Sequence, residues 1–115
     1  MSRKIYKIVR TPDWISAEKA GVFKGSPDDA RDGFVHFSAS HQVRGTAARY
    51  FGGQEGLMLV AADASALGEA LKWETSRGGE KFPHLYGDLP MSAIVWTTPI
   101  PLGPDGQHVF PDEIP

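Results

Sequence analysis

One uninterrupted apolar run decides the fold of this chain: Leu57-Met58-Leu59-Val60-Ala61-Ala62. A strand with one face in water alternates apolar and polar residues, whereas a strand covered on both faces is apolar throughout. We therefore expect residues 57–62 to form a buried strand, with other elements packed against both of its faces.

Outward from this run, four more segments have the composition or the alternation of strands: residues 4–9, 34–38, 71–75 and 93–98. In the third of these, the alternation puts Trp73 on the inner face and Glu74 on the opposite one. After residue 98, prolines recur at spacings that exclude a regular central strand. Residues 98–115 are therefore predicted to form a proline-rich surface tail.

Two helices are predicted, both in the first half of the chain. Thr11 can cap a helix that has Pro12 at its first position and ends at Gly21. Ser40 can cap a second helix that continues to about Phe51. Residues 24–32 are predicted to form a polar connection, and residues 64–67 one helical turn. Because strands outnumber helices, we expect an α+β fold, a compact single domain (residues 1–115) with a mixed or mostly antiparallel sheet.

Composition and charge narrow the possible functions. The 115 residues suit one domain with a core of its own. The net charge of −2 creates no basic field, so general nucleic-acid binding is not expected. The lack of cysteine excludes disulfides, thiolate nucleophiles and cysteine-rich zinc sites. The sequence has neither an apolar run long enough to span a membrane nor a signal-peptide core, so we expect a cytoplasmic protein.

Two short segments each place a histidine two residues before a hydroxyl: Gly33-Phe34-Val35-His36-Phe37-Ser38 and Phe82-Pro83-His84-Leu85-Tyr86-Gly87. In extended backbone, side chains two residues apart project from the same face. Imidazole is the side chain best suited to exchange a proton near neutral pH. We expect His36, His84 and Tyr86 to line one cleft with Glu74 near its edge, the second segment being a rigid loop held by its proline and glycine.

Other interpretations of these residues stay open. His36 can instead be a structural histidine, half buried and bonded to a carbonyl. His84 can equally belong to a packing loop in which it caps a carbonyl, and Glu74 can be a solvated residue on the face of its strand. Ser38 and Ser40, followed by a helix N-terminus, form a pattern that suits phosphate, whereas His41 in the first helical turn is expected to be exposed and incidental.

Two further chemistries lack their usual signatures. A metal set of His36, His84 and Glu74 has no close His-x-x-x-His spacing, so no metal is expected. A serine hydrolase built from Ser38 and His84 would need a Gly-x-Ser-x-Gly turn, which the sequence lacks.

Taken together, these segments resemble the Domain of Unknown Function 952 family, small and mostly bacterial proteins with no established activity. The resemblance covers nearly the whole chain and rests on Ile5-Tyr6-Lys7-Ile8 with Trp14, on residues 33–38 with Gln42, on Trp73-Glu74, and on residues 82–87. It implies a fold similar to the ADP-ribosyltransferases, which bind NAD in a groove of a split, mostly antiparallel sheet.

The resemblance also implies roles for the site residues. His36 and Ser38 would hold the NAD ribose, His84 or Tyr86 would flank the nicotinamide, and Glu74 would stabilise the positive charge that develops in the reaction. The chain departs from the better-known ADP-ribosyltransferase patterns in two ways. It lacks a Ser-Thr-Ser-type motif, and its Glu74 precedes the His84 segment.

Two functional hypotheses follow. The first is an ADP-ribosyltransferase-like enzyme, or a binder of NAD or a related phosphate-containing ligand, with NAD as substrate rather than resident cofactor. The second is a non-catalytic binding module for a small anion or a peptide. The acceptor and the oligomeric state are not specified by the sequence.

Overall fold

The computed structural model describes residues 3–114 of the chain. Strand β4 (Leu57–Asp63) lies in the middle of an antiparallel sheet with the order β1-β4-β8. Its neighbours are β1 (Lys4–Arg10) and β8 (Ile94–Pro99). Within residues 57–62 only Met58 is more than marginally exposed to solvent. The continuous apolar run therefore forms the buried central strand that the sequence predicts.

A second antiparallel sheet carries the predicted site and has the order β3-β6-β5. Its strands are β3 (Val35–His36), β6 (Lys81–Leu85) and β5 (Leu71–Thr75). The two sheets are joined where Tyr6 and Ser38 exchange backbone hydrogen bonds of 2.8 and 2.7 Å. A short ribbon of β2 (Val22–Phe23) and β7 (Leu89–Pro90) completes the antiparallel pairings.

Apolar side chains fill both faces of β4. The first core contains Trp14 of helix α1 (Thr11–Ala20) together with Val60 and Ala62 of β4. The second core contains Val43 of helix α3 (Val43–Tyr50) together with Leu59 of β4. The domain is thus an α+β fold with antiparallel sheets, in agreement with the sequence prediction.

Helix boundaries differ from the prediction at their N-termini. Helix α1 begins at Thr11 itself, with Arg10 as the preceding cap residue, and it ends at Gly21 as predicted, with φ of 82°. Helix α3 begins at Val43 rather than directly after Ser40, which lies in the turn that precedes it. Thr11 and Ser40 are therefore not the capping residues.

The polar connection predicted for residues 24–32 contains a helix, α2 (Pro27–Asp32). Its first turn is closed by Asp29, whose Oδ2 accepts a hydrogen bond of 2.7 Å from the backbone N–H of Ser26. The sequence signal is Ser26-Pro27-Asp28-Asp29, in which a carboxylate three residues after a serine and a proline at the first helical position are typical of a helix start. The prediction of a plain connection was wrong.

The segment predicted as a rigid loop around His84 is largely strand β6, in the middle of the second sheet. A proline inside a strand normally excludes a central position because it lacks the N–H donor. Here β3 pairs only with His84 and Leu85, and the carbonyl of Pro83 still accepts a hydrogen bond from Phe37 N–H at 3.0 Å. The short partner strand makes the missing donor tolerable.

The tail that follows β8 is more than a surface segment. Ile100 is fully buried and Ile114 is 2% exposed, and both pack into the second core. Between them, residues 101–113 turn over the surface, with a bridge between Leu102 and His108. Residues 101–113 are exposed or half buried, whereas Ile100 and Ile114 anchor the two ends of the tail in the core.

Candidate functional site

The two histidines predicted for the site lie side by side on the second sheet. His36 of β3 and His84 of β6 are directly opposite each other in the strand register, and their ring centroids are 5.6 Å apart. Phe34 packs against both, at 4.6 Å from His36 and stacked at 4.0 Å on His84. The structure therefore brings the two imidazoles together on one face.

His84, Glu74 and Tyr86 form one hydrogen-bonded group. Oε1 of Glu74 lies 2.8 Å from Nδ1 of His84 and accepts a hydrogen bond of 2.7 Å from the Tyr86 hydroxyl. The hydrogen bonds from Tyr86 and His84 lower the pKa of Glu74, and the bond to Glu74 raises the pKa of Tyr86. Glu74 is therefore ionised at neutral pH and can only accept.

An ionised Glu74 fixes the orientation of His84, because Nδ1 must then carry the proton that is donated to it. Nε2 has no hydrogen-bond partner among residues 3–114. Of the described residues, His84 and His36 line the adjacent cavity, whereas Glu74 and Tyr86, which was predicted to line the cleft with them, do not. The ring thus turns one nitrogen to the carboxylate and leaves the other for a ligand in the cavity. A carboxylate behind a histidine is the usual way to orient a general base.

A buried aspartate that the sequence analysis missed holds the other histidine. Oδ1 of Asp29 lies 2.6 Å from Nδ1 of His36 and accepts a hydrogen bond of 3.0 Å from His36 N–H. Lys7 of β1 pairs with the same carboxylate at 3.0 Å, and its Nζ also donates to the His36 carbonyl at 2.9 Å. Asp29 of α2 and Lys7 of β1 both contact His36, and these contacts connect the two elements to β3.

The buried pair perturbs both of its members. Burial raises the pKa of Asp29, but the hydrogen bond from His36, the charge of Lys7 and the backbone N–H groups of Ser26 and His36 together outweigh it and lower the pKa well below its usual range. For Lys7, burial dominates and lowers the pKa despite Asp29. The sequence gives little warning of this pair, because its members are 22 residues apart.

His36 has carboxylates on both ring nitrogens. Nδ1 faces Asp29, and Nε2 lies 2.9 Å from Oδ2 of Asp32. Only the doubly protonated ring can donate to both. A ligand could reach Nε2 of His36 only by displacing Asp32. These contacts therefore favour the structural role that the sequence left open for His36 over the predicted contact with a ribose.

The remaining predicted residues divide into two groups. Ser38 is buried, lies 2.9 Å from the Thr46 hydroxyl and lines the cavity. Ser40 is half buried and, among the described residues, is not part of the cavity wall. His41 is exposed and faces Glu80 at 3.2 Å. Within residues 3–114, no group of three or more histidine, aspartate or glutamate side chains has an arrangement that could hold a metal ion.

The cavity beside the histidines has a volume of about 250 Å³ and lies between the two sheets and helices α2 and α3. Its wall includes the aromatic rings of Tyr6, Tyr50 and Phe82 and the guanidinium-bearing Arg77. Arg77 was also missed by the sequence analysis, since it lies in a glycine-containing turn (Arg77–Gly79) with no recognisable motif. The cavity is half open to solvent, and its wall carries both the oriented imidazole of His84 and the cationic guanidinium of Arg77.

Residues 8–97 match the model of a protein family described as "Protein of unknown function (DUF952)", and the chain belongs to this family. The crystal structure of protein CC0527 from Caulobacter crescentus is 45% identical, with a TM-score of 0.91 over 96% of this chain and 97% of that one. The solution NMR structure of CC0527 is 47% identical, with a TM-score of 0.82 over 90% of each chain. No curated protein matches the chain.

Both solved structures were determined as structural genomics targets. They establish the fold and the family, and a shared fold does not by itself define an activity. Among the described residues, no helix is both long and apolar enough to cross a membrane.

Proposed function

We propose that this protein binds NAD or a related ribose ligand in the cavity and acts as an ADP-ribosyltransferase-like enzyme on it. The feature that supports this most directly is the Glu74–His84 pair, with Nδ1 bonded to the carboxylate and Nε2 left for the cavity. Such a pair can hold a ribose hydroxyl or accept a proton from an attacking oxygen.

The proposed glycosyl transfer balances without a further reagent. The bond from ribose C1′ to the nicotinamide nitrogen breaks, and its electron pair leaves with the nicotinamide, which becomes neutral. An acceptor oxygen, that of water in the simplest case, forms the new bond to C1′ and passes its proton to Nε2 of His84. Glu74 stabilises the imidazolium that results, and the same negative charge favours the cationic sugar in the transition state.

His36 serves a different purpose in this proposal. Its two carboxylate contacts fix the end of β3, and Phe34, which packs against both imidazole rings, links that position to His84. His36 is then a positioning residue, whereas His84 is the catalytic residue.

A non-catalytic binding module remains the second candidate. It is favoured by the separation of the carboxylates, because Glu74 contacts His84 while Asp29 and Asp32 contact His36. In a binding module, the cavity would hold a small anion without turning it over.

Nicotinamide release from NAD distinguishes the two candidates. We expect the wild-type protein to release nicotinamide and Glu74→Gln to slow the release by about 10²–10⁴-fold, the usual contribution of an oriented general base. Binding of ADP-ribose, measured by calorimetry, should change far less, because Glu74 does not line the cavity.

His84→Gln and His41→Gln form a matched pair, since His41 is exposed and points to Glu80. Loss of activity in the first variant only is expected. Equal activity in both variants would overturn the role of His84, and ADP-ribose binding without any nicotinamide release by wild type would decide for the binding module.

A further inference from the structure

Among the described residues, the charges in the cavity wall are paired, with one exception. Lys7 pairs with Asp29 at 3.0 Å, and Arg31 pairs with Asp32 at 3.0 Å and with Asp28 at 3.4 Å. Among residues 3–114, the guanidinium of Arg77 has neither an ion pair nor a hydrogen bond. Its five N–H donors therefore remain available for a ligand.

Arg77 is held in place by aromatic rings instead of by charges. Its guanidinium carbon lies 5.0 Å from the ring centre of Phe82 and 6.0 Å from that of Tyr50. Contacts of this kind fix the plane of a guanidinium while its N–H edge stays unsatisfied. The nearby carboxylate of Glu80 is taken by His41 and Gln42, at 3.2 and 3.3 Å.

Helix α3 makes room for this side chain. Gly45 lies inside the helix, where glycine costs about 0.5–1 kcal/mol relative to alanine, and its φ is not positive. A Cβ atom at this position would be 3.2 Å from Nη2 of Arg77. No left-handed backbone requires this glycine, and a Cβ atom here would require the Arg77 guanidinium to shift by a few tenths of an ångström.

We propose that Arg77 is the anion subsite of the cavity and binds the diphosphate of the nucleotide ligand. The identity of that ligand rests on the proposed function, whereas the subsite itself stands on the unpaired, ring-held guanidinium. Arginine binds phosphate oxygens through parallel hydrogen bonds and is well suited to this role.

The position of Arg77 also gives the ligand a direction. Phe82, which contacts Arg77, precedes His84 by two residues on β6, a step of about 7 Å on one face of a strand. This step is comparable to the length of a ribose 5-phosphate. The diphosphate is then placed at the Arg77 end, and the ribose beside Nε2 of His84.

Calorimetric titration with inorganic pyrophosphate tests the subsite without a nucleotide. We expect binding to wild type to weaken by about tenfold or more in Arg77→Gln, since hydrogen bonds to charged groups are lost. Arg49→Gln is the matched control. This substitution also removes a positive charge beside Tyr50, but among the described residues Arg49 lies outside the cavity wall. Gly45→Leu keeps the charge but occupies the space of the guanidinium, and it should also weaken binding while the helix stays folded.

Each outcome bears on one proposal. Equal pyrophosphate affinity in wild type and Arg77→Gln, or no binding to wild type, overturns the subsite. If ADP-ribose binds wild type and Arg77→Gln alike, and wild type releases nicotinamide from NAD, the subsite fails and the proposed function stands. If pyrophosphate binds through Arg77 but neither NAD nor ADP-ribose binds, the subsite stands and the proposed function fails.

Discussion

Lys7 and Asp29 are buried charges, with side chains 7% and 2% exposed. Transfer of each charge out of water is costly, and the contacts that they make with each other, with His36 and with the backbone N–H of Ser26 offset that cost. Removal of one partner leaves the other charge buried without compensation. We therefore expect Lys7→Met to lower the free energy of unfolding by about 3–5 kcal/mol, measured by urea denaturation at pH 7.

Lys4→Met is the control for this variant, because Lys4 belongs to the same strand and is exposed. Its unfolding free energy should stay within about 0.5 kcal/mol of wild type. The double variant Lys7→Met/Asp29→Leu should recover part of the loss, since both charges are gone. A Lys7→Met protein as stable as Lys4→Met would show that the pair does not hold α2 and β1 to β3.

The lowered pKa of Asp29 makes stability depend on acid. A carboxyl group whose pKa is lower in the folded state than in the unfolded state stabilises the fold at pH values above its unfolded-state pKa. This contribution is lost as the pH falls toward the folded-state pKa. For Asp29 the ordinary value is 3.8, and the folded value lies below it. We expect the unfolding free energy of wild type to fall steeply below about pH 4, measured by urea denaturation from pH 7 to pH 2.

Asp29→Asn removes this titration, so its curve should be flatter below pH 4 than that of the exposed control Asp88→Asn. Parallel curves for the two variants would show that Asp29 contributes no acid-dependent stability.

At the scale of elements, the end of helix α1 depends on one glycine. Gly21 adopts a left-handed φ of 82°, and its N–H donates to the carbonyls of Ala17 and Glu18 at 2.9 and 3.3 Å. A Cβ atom there would meet nothing within 4 Å, so the cost of a side chain is purely conformational. We expect Gly21→Ala to destabilise the protein by about 1–2 kcal/mol, measured as a shift of the urea midpoint.

Gly21→Asn provides the comparison, because asparagine tolerates the left-handed region better than alanine. Its loss should be clearly smaller. If the two variants were equally destabilised, a contact rather than the backbone conformation would be responsible.

Elements with a local signal were predictable from the sequence, and those that depend on distant partners were not. Strand β4 and the Gly21 stop follow from an apolar run and a single residue type. Strand β6 was missed because Pro83 argues against a central strand, and only the short pairing of β3 makes it acceptable. Helix α2 did carry a capping signal, which its polar composition concealed.

The same distinction applies to the candidate site. His84 and Tyr86 are two residues apart, so extended backbone places both on the face that also carries Glu74 of the paired strand. Asp29, Lys7 and Arg77 come from other elements, and nothing local marks them as partners. Their contribution appears only once the sheets and helices are packed.

For the molecule as a whole, the tail closes the second core. Ile114 is buried, its carbonyl accepts a hydrogen bond of 2.7 Å from Arg44, and Glu113 beside it accepts one of 3.0 Å from Trp96 Nε1. Truncation of a buried isoleucine to alanine costs about 2–5 kcal/mol. We expect a loss in this range for Ile114→Ala, measured by thermal and urea denaturation.

Val109→Ala is the control in the same tail, because Val109 is 52% exposed. It should be nearly neutral. A neutral Ile114→Ala would mean that the tail lies on the domain without contributing to its stability.

Strand β4 belongs to both cores, and this sharing governs how the domain denatures. Trp14 packs in the first core and Trp96 against the second. With the third tryptophan, Trp73, replaced by phenylalanine, variants that keep one of these two indoles provide a separate optical signal from each side of the strand. Neither core can unfold without exposing one face of β4 to solvent. Loss of the strand would then expose the other core as well. The two indoles should therefore lose their native emission at the same denaturant concentration, and the pocket should disappear in that single all-or-none transition.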